Sequence, residues 1–138
     1  MTTLHDERMR RFGEAGLYLV TSAALSAGRS TPDIVRAALA GGVRLIQLRE
    51  KDLSLHDMMP LARTVRRLTA EAGALLIVND RVDVALAIGA DGVHLGQDDL
   101  PVADARRVAP DLIIGASSHS EAEAAAAGRD GASYVNIG

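Results

Sequence analysis

A short unit repeats four times along this chain: a helix-forming stretch stops at a glycine, and an apolar run of strand length follows at once. The copies read Gly42-Val-Arg-Leu-Ile46, Gly73-Ala-Leu-Leu-Ile77, Gly89-Ala-Asp-Gly-Val93 and Gly131-Ala-Ser-Tyr-Val135. Strands alternating with helices demand a parallel sheet with right-handed crossovers, either an open doubly wound sheet or a closed barrel. Apolar runs recur at Leu17 to Val20, Val43 to Leu48, Ala74 to Val78, Gly92 to Leu95, Leu112 to Ile114 and Tyr134 to Ile137. None alternates cleanly, as expected of parallel strands buried on both faces. The first run is followed by Thr21-Ser-Ala-Ala-Leu-Ser26 instead of a glycine-rich dinucleotide fingerprint, which weighs against the open nucleotide-binding sheet.

The helices between these runs carry their own punctuation. Thr31 followed by Pro32 and Asp33 predicts a hydroxyl cap with proline at the first helical position, and Gly41-Gly42 a stop. Ser54 opens a long helix through Leu61, Val65 and Leu68, with Arg63, Arg66 and Arg67 expected mostly in solvent and Gly73 as its end. Ser120 and Glu123 have the spacing of a capping box. The count is six strands and five complete helices in one domain spanning residues 1–138, about five and a half βα units of a (β/α)8 TIM barrel.

Composition narrows the partners. Apolar residues make up 48% of the chain and charged residues 24%, the mix of a soluble globular domain. A net charge of −3 offers no basic footprint for nucleic acid or an anionic membrane. No stretch approaches the ~20 apolar residues of a membrane span, and the N-terminus lacks the apolar region of a signal peptide. With no cysteine, thiolate chemistry is excluded and a cytoplasmic setting is expected.

In parallel α/β folds the loops leaving the C-terminal strand ends converge, so polar residues just after the apolar runs are the candidates for function. The second run leads into Gln47-Leu-Arg-Glu-Lys-Asp52, where alternation puts Gln47, Arg49 and Lys51 on one face. An Arg fork and a Lys point charge suit a phosphate; a solvated cluster with Arg49 paired to Glu50 or Asp52 is the competing reading. The third run ends in Asn79-Asp80, and the fourth in His94-Leu-Gly-Gln-Asp-Asp99. The acids there would hold a hard cation or cap the helices that follow. After the fifth run, Ser117 is the hydroxyl placed to bind a ligand, and Ser120 the one placed to cap. Together these four strand ends would hold magnesium and a diphosphate.

At these four motifs the chain resembles the thiamine phosphate synthase family: Gln47-Leu-Arg-Glu-Lys-Asp52, Asn79-Asp-Arg-Val-Asp83, Gly92-Val-His-Leu-Gly-Gln-Asp-Asp99 and Gly115-Ala-Ser-Ser-His119. The resemblance covers essentially the whole chain. It implies a transferase of thiamine biosynthesis that joins a hydroxymethylpyrimidine pyrophosphate to a thiazole phosphate and releases pyrophosphate. It further implies that Gln47, Arg49, Lys51 and Asn79 hold the diphosphate, that Asp80 and Asp99 ligate Mg²⁺, and that Tyr18, His94 and Ser117 lie near the pyrimidine. Arg49, Lys51 and Ser117 would then carry the chemistry, by stabilising the departing charge in a dissociative substitution. Family members have the length of a complete barrel, and the loops after the sixth, seventh and eighth strands, which add diphosphate and thiazole phosphate contacts, have no counterpart here. Two alternatives stand beside this reading: a thiazole tautomerase-type isomerase using His119, and a non-catalytic phosphate-binding fragment. Open first and sixth strands are expected to pair between copies, and the 138-residue chain alone to be nearly inactive.

Overall fold

A computed structural model describes residues 1–138. The elements are α1 (Leu4–Glu14), β1 (Leu19–Val20), a 3₁₀ turn (Ala23–Leu25), α2 (Thr31–Ala40), β2 (Leu45–Leu48), α3 (Leu55–Glu71), β3 (Leu75–Asn79), α4 (Val82–Ile88), β4 (Gly92–Leu95), α5 (Val102–Val108), β5 (Ile113–Ser118), α6 (Glu121–Arg129) and β6 (Tyr134–Ile137). All six strands are parallel and lie in sequence order. A doubly wound sheet would reverse its order partway. An unreversed one curls in a single sense, as in a barrel.

Strand alternation divides the buried residues into two cores. Ile46, Leu48, Leu76, Val78, Val93, Leu95 and Ile114 pack outward against helical residues such as Val35, Met58, Ala62, Val65, Val84 and Ala105, in a cluster of 20 buried residues. Leu45, Leu75, Ile77 and Ile113 point inward and meet Met9 and Phe12 of α1 together with Tyr18 and Tyr134. Burial on both faces explains why the strands read as unbroken apolar runs. Inward residues fall into layers set by the register: Ile77, Gly92 and Ile113 in one, Asn79, His94, Gly115 and Tyr134 in the next.

The sixth helix, α1, has no counterpart in the sequence reading. A reciprocal Thr3–Asp6 capping box starts it, and it contains no buried residue. It is fixed mainly by polar contacts to the segments that enter the strands. Arg8 donates to the carbonyls of Asp111 at 2.7 Å and Ala90 at 3.4 Å, Arg11 donates to that of Gly73 at 2.8 Å, and His5 bonds the Ser133 hydroxyl at 2.8 Å. The helix thus spans the N-terminal end of the sheet.

Several local expectations need correction. Ser30, not Thr31, caps α2, while the Thr31 hydroxyl donates to Glu50 at 2.7 Å. Ser120 caps α6, but Glu123 accepts from the His119 N–H at 2.7 Å instead of closing the box on Ser120. Arg66 is not solvated: it donates to Asp91 at 2.8 Å. Ser54 caps α3 as predicted.

Asp91 ties the N-terminal end together. Its carboxylate also accepts the Leu76 N–H at 2.9 Å and faces Arg8 at 3.4 Å, with the residue 7% exposed. Removing one member of a buried ion cluster strands the others without partners. Asp91→Ala is therefore expected to cost about 3–5 kcal/mol in denaturant unfolding; a loss below about 1 kcal/mol, the size typical of an exposed ion pair, would contradict this role.

Candidate functional site

The C-terminal strand ends carry two tiers of polar residues. Arg49, Lys51, Asp80 and Asp99 form the outer tier, on the rim. Arg49 is exposed just beyond β2; its N–H is held by the Thr21 hydroxyl at 3.1 Å and its guanidinium makes no ion pair. The predicted alternative, pairing of Arg49 to Glu50 or Asp52, is not what forms, since Glu50 is taken by Thr31. Lys51 instead reaches across to Asp80 at the end of β3.

Neither acid serves as a helix cap. The residue at the cap of α4 is Arg81 and that at the cap of α5 is Pro101, and neither helix start receives a side-chain bond from its cap. Asp80 has φ of +67°, a conformation costing an L-residue roughly 1–2 kcal/mol. The Arg81 N–H donates to the Asn79 carbonyl at 2.8 Å across it, closing a three-residue turn in its strained form. The Asp80 N–H is spent on the His94 carbonyl at 2.8 Å. Such strain persists only where surrounding contacts enforce it, and it collects at functional sites. Here it directs a carboxylate at Lys51.

Asp99 folds back so that its carboxylate accepts the Gly96 N–H at 2.7 Å, and it lies beside Asp80. Burial raises the Asp80 carboxyl, but the contact with Lys51, hydrogen bonding with Asp99 and the field of Arg49 outweigh that and hold it below the usual range. Asp99 moves the other way: burial and the adjacent Asp80 charge raise it against the pull of Gly96 and Lys51. Asp80 and Asp99 are the residues here that could hold a divalent cation, whose charge would relieve the repulsion between them.

The inner tier is a continuous hydrogen-bond chain. Gln47, buried on β2, donates from Nε2 to the Tyr18 hydroxyl at 2.9 Å. Tyr18 and Tyr134 share a hydroxyl contact at 2.7 Å, Tyr134 meets His94 Nδ1 at 2.8 Å, and His94 Nε2 meets Ser117 Oγ at 2.8 Å. Burial lowers the imidazole below its ordinary value against the pull of Asp80. Ser117 is half-buried, with its carbonyl held by Gln97 at 2.7 Å. Asn79 lies level with His94 in the register.

Tyr134 is the residue that sequence reasoning missed. Its ring stacks on Phe12, with centroids 4.8 Å apart. A Cβ on Gly115 would lie 2.1 Å from the ring, so the glycine on β5 is the seat into which it fits. The usable signal was scarcity: the chain has two tyrosines, one phenylalanine and no tryptophan, and all three aromatic residues meet here.

Comparison with known proteins bears on this arrangement. A family profile described as thiamine monophosphate synthase matches residues 17–138. Thiamine-phosphate synthase of Chloroflexus aurantiacus is 53% identical over 122 residues, which are 88% of this chain and 56% of that protein. The Moorella thermoacetica enzyme of the same name is 50% identical over 123 residues, 88% of this chain and 59% of its own length. Among solved structures, thiamine phosphate pyrophosphorylase from Pyrococcus furiosus superposes with a TM-score of 0.84 at 45% identity, covering 91% of this chain and 60% of that one. The chain therefore spans somewhat over half the length of the relatives it matches.

The buried phenols give an optical test. Burial raises Tyr18, against bonds from Tyr134 and Gln47 that lower it, and burial with the neighbouring Tyr18 raises Tyr134, both from an ordinary 10.0. A raised folded value means that stability is complete below the unfolded value and falls as pH rises beyond it. Phenolate absorbance is thus expected to stay silent past pH 10.0 and to appear only together with loss of far-UV dichroism. Ionisation of both phenols at their ordinary value in folded protein would contradict the buried chain.

Proposed function

This chain belongs to the thiamine monophosphate synthase family, and from that premise we propose that its rim binds a diphosphate leaving group with a divalent cation. The observation that carries the reading is Asp80: it caps no helix, occupies a strained turn, and lies against Lys51 and Asp99. Its placement is costly to the fold and is explained by a ligand.

The reaction proposed is formation of thiamine phosphate from a hydroxymethylpyrimidine pyrophosphate and a thiazole phosphate, with release of pyrophosphate. Arg49, exposed and unpaired, offers a bidentate fork to phosphate oxygens. Lys51, paired with Asp80, lies on the same rim and would offer a point charge to the same anion. Asp80 and Asp99 fit Mg²⁺, which is usually held by one or two carboxylates with substrate phosphates and waters. Such a cation supplies charge stabilisation to the leaving oxygen. Asn79 stands at the end of β3 level with His94, and buried Gln47, bonded to Tyr18, forms the polar floor together with His94 and Ser117. The bond to the departing diphosphate breaks first in this account, and the thiazole nitrogen then captures the pyrimidine methylene cation. No protein nucleophile is needed; the residues act by binding and by meeting developing negative charge. An isomerase using His119 has no use for the two rim acids, and the His119 Nδ1 is engaged by the Gly138 carbonyl at 2.7 Å.

No helix is long and apolar enough to cross a membrane; a cytoplasmic biosynthetic role accords with the absence of cysteine. The edges β1 and β6 expose Val20, Val135 and Ile137, surfaces suited to pairing with further strands or a second copy.

Calorimetric titration of the chain with pyrophosphate tests the core of the reading. Binding is expected only with Mg²⁺ present, and Asp80→Ala or Asp99→Ala is expected to weaken it at least ~10-fold, about 1.4 kcal/mol. In thiamine phosphate formation by the complete barrel, either substitution is expected to cost at least ~100-fold in turnover. Pyrophosphate binding indifferent to magnesium and to both acids would remove the basis for the assignment.

A further inference from the structure

The inner chain of hydrogen bonds has a direction, and the direction follows from counting protons. An amide nitrogen can only donate, so the bond from Gln47 Nε2 at 2.9 Å uses an oxygen lone pair of Tyr18. The Tyr18 hydroxyl proton then needs an acceptor, and the oxygen within reach is that of Tyr134 at 2.7 Å. Tyr134, having accepted, spends its own proton on the ring nitrogen at 2.8 Å, which is His94 Nδ1. Nδ1 is thereby the unprotonated nitrogen, and the ring proton of the neutral imidazole sits on Nε2, donated to Ser117 Oγ at 2.8 Å. In the opposite direction the Tyr18 proton would be left without an acceptor in a buried setting.

The geometry points to Tyr134 as a positioning residue that holds His94 in its Nε2–H tautomer, so that Ser117 accepts from the imidazole and presents its own hydroxyl proton to the ligand. Each step has a structural support. Phe12 stacks on the Tyr134 ring and Gly115 leaves the space the ring occupies, so the hydroxyl has little freedom to move. Ser117 has its accepting capacity directed at His94, and its proton has no acceptor within the protein. The device therefore selects a ligand with an acceptor atom, a phosphate oxygen or an unprotonated ring nitrogen, and disfavours a donor at that point. The tautomer needs no ligand; only the identity of the acceptor rests on the diphosphate reading above.

Long-range ¹H–¹⁵N correlation of the histidine rings, in the ligand-free chain near neutral pH, tests the proposal, with His94 assigned by the signals lost in His94→Gln. The wild-type chain is expected to show His94 protonated at Nε2 alone, with an Nδ1 frequency shifted by an accepted hydrogen bond. Tyr134→Phe keeps the ring on Phe12 and removes the donor, so Nδ1 is expected to move to the frequency of a free ring nitrogen. A wild-type His94 protonated at Nδ1 overturns the proposal without any variant. So does an Nδ1 frequency unchanged in folded Tyr134→Phe. Neither result touches the calorimetric test of pyrophosphate binding, and loss of pyrophosphate binding leaves the tautomer intact.

Discussion

The structure depends on a single winding rule: six parallel strands laid down in chain order, each returned by a helix packed on the same outer face. That rule gathers residues 47–51, 79–80, 94–99 and 117 at one end of the sheet although they are far apart in sequence. Outward apolar residues hold the helices on, and inward ones fill the hollow beneath the rim. Site and fold therefore share the same strands, with alternate residues assigned to each.

Strain and burial separate the two tiers of the site. On the rim, a left-handed aspartate and a second acid with a raised carboxyl hold charge that the fold alone does not need. Below it, the polar groups from Gln47 to Ser117 satisfy one another almost completely. A satisfied buried network is rigid. The proposed reaction asks for this division: a fixed floor, and a charged rim above it.

Much of this was legible beforehand. β4 and β6 have the predicted limits, and the others differ by a few residues; burial on both faces accounts for the apolar runs of β2 to β5, while β6 is apolar in sequence but largely exposed. The grouping of Arg49, Lys51, Asp80 and Asp99 followed from the convergence of strand ends, which any barrel enforces. What stayed hidden acts through polar or single-residue contacts. α1 has no buried residue and is held mainly by Arg8, Arg11 and His5 bonding carbonyls and a hydroxyl, a pattern that looks like a solvated charged segment. Asp91 stood out only as one position of the repeated Gly89-to-Val93 unit, yet it pairs with Arg66 and Arg8 at the N-terminal end of the sheet. The choice between Asp80 as cap and Asp80 as ligand could not be made from residue type, since the same short carboxylate serves both; the structure removes the cap, and the ligand role is the one proposed above. Tyr134 read as one more apolar strand residue because only the register, through Gly115, brings its hydroxyl to His94.

The central claim is that the acids at the C-terminal strand ends, and not those elsewhere, form the cation and diphosphate site. Paramagnetic broadening of assigned amide resonances by Mn²⁺ in the presence of pyrophosphate measures this directly. The account predicts that signals of residues 49–52, 79–81 and 96–99 broaden first and together. Broadening centred instead on Asp91 and Asp111 at the opposite end, or spread evenly over the exposed acids of the helices, would contradict it.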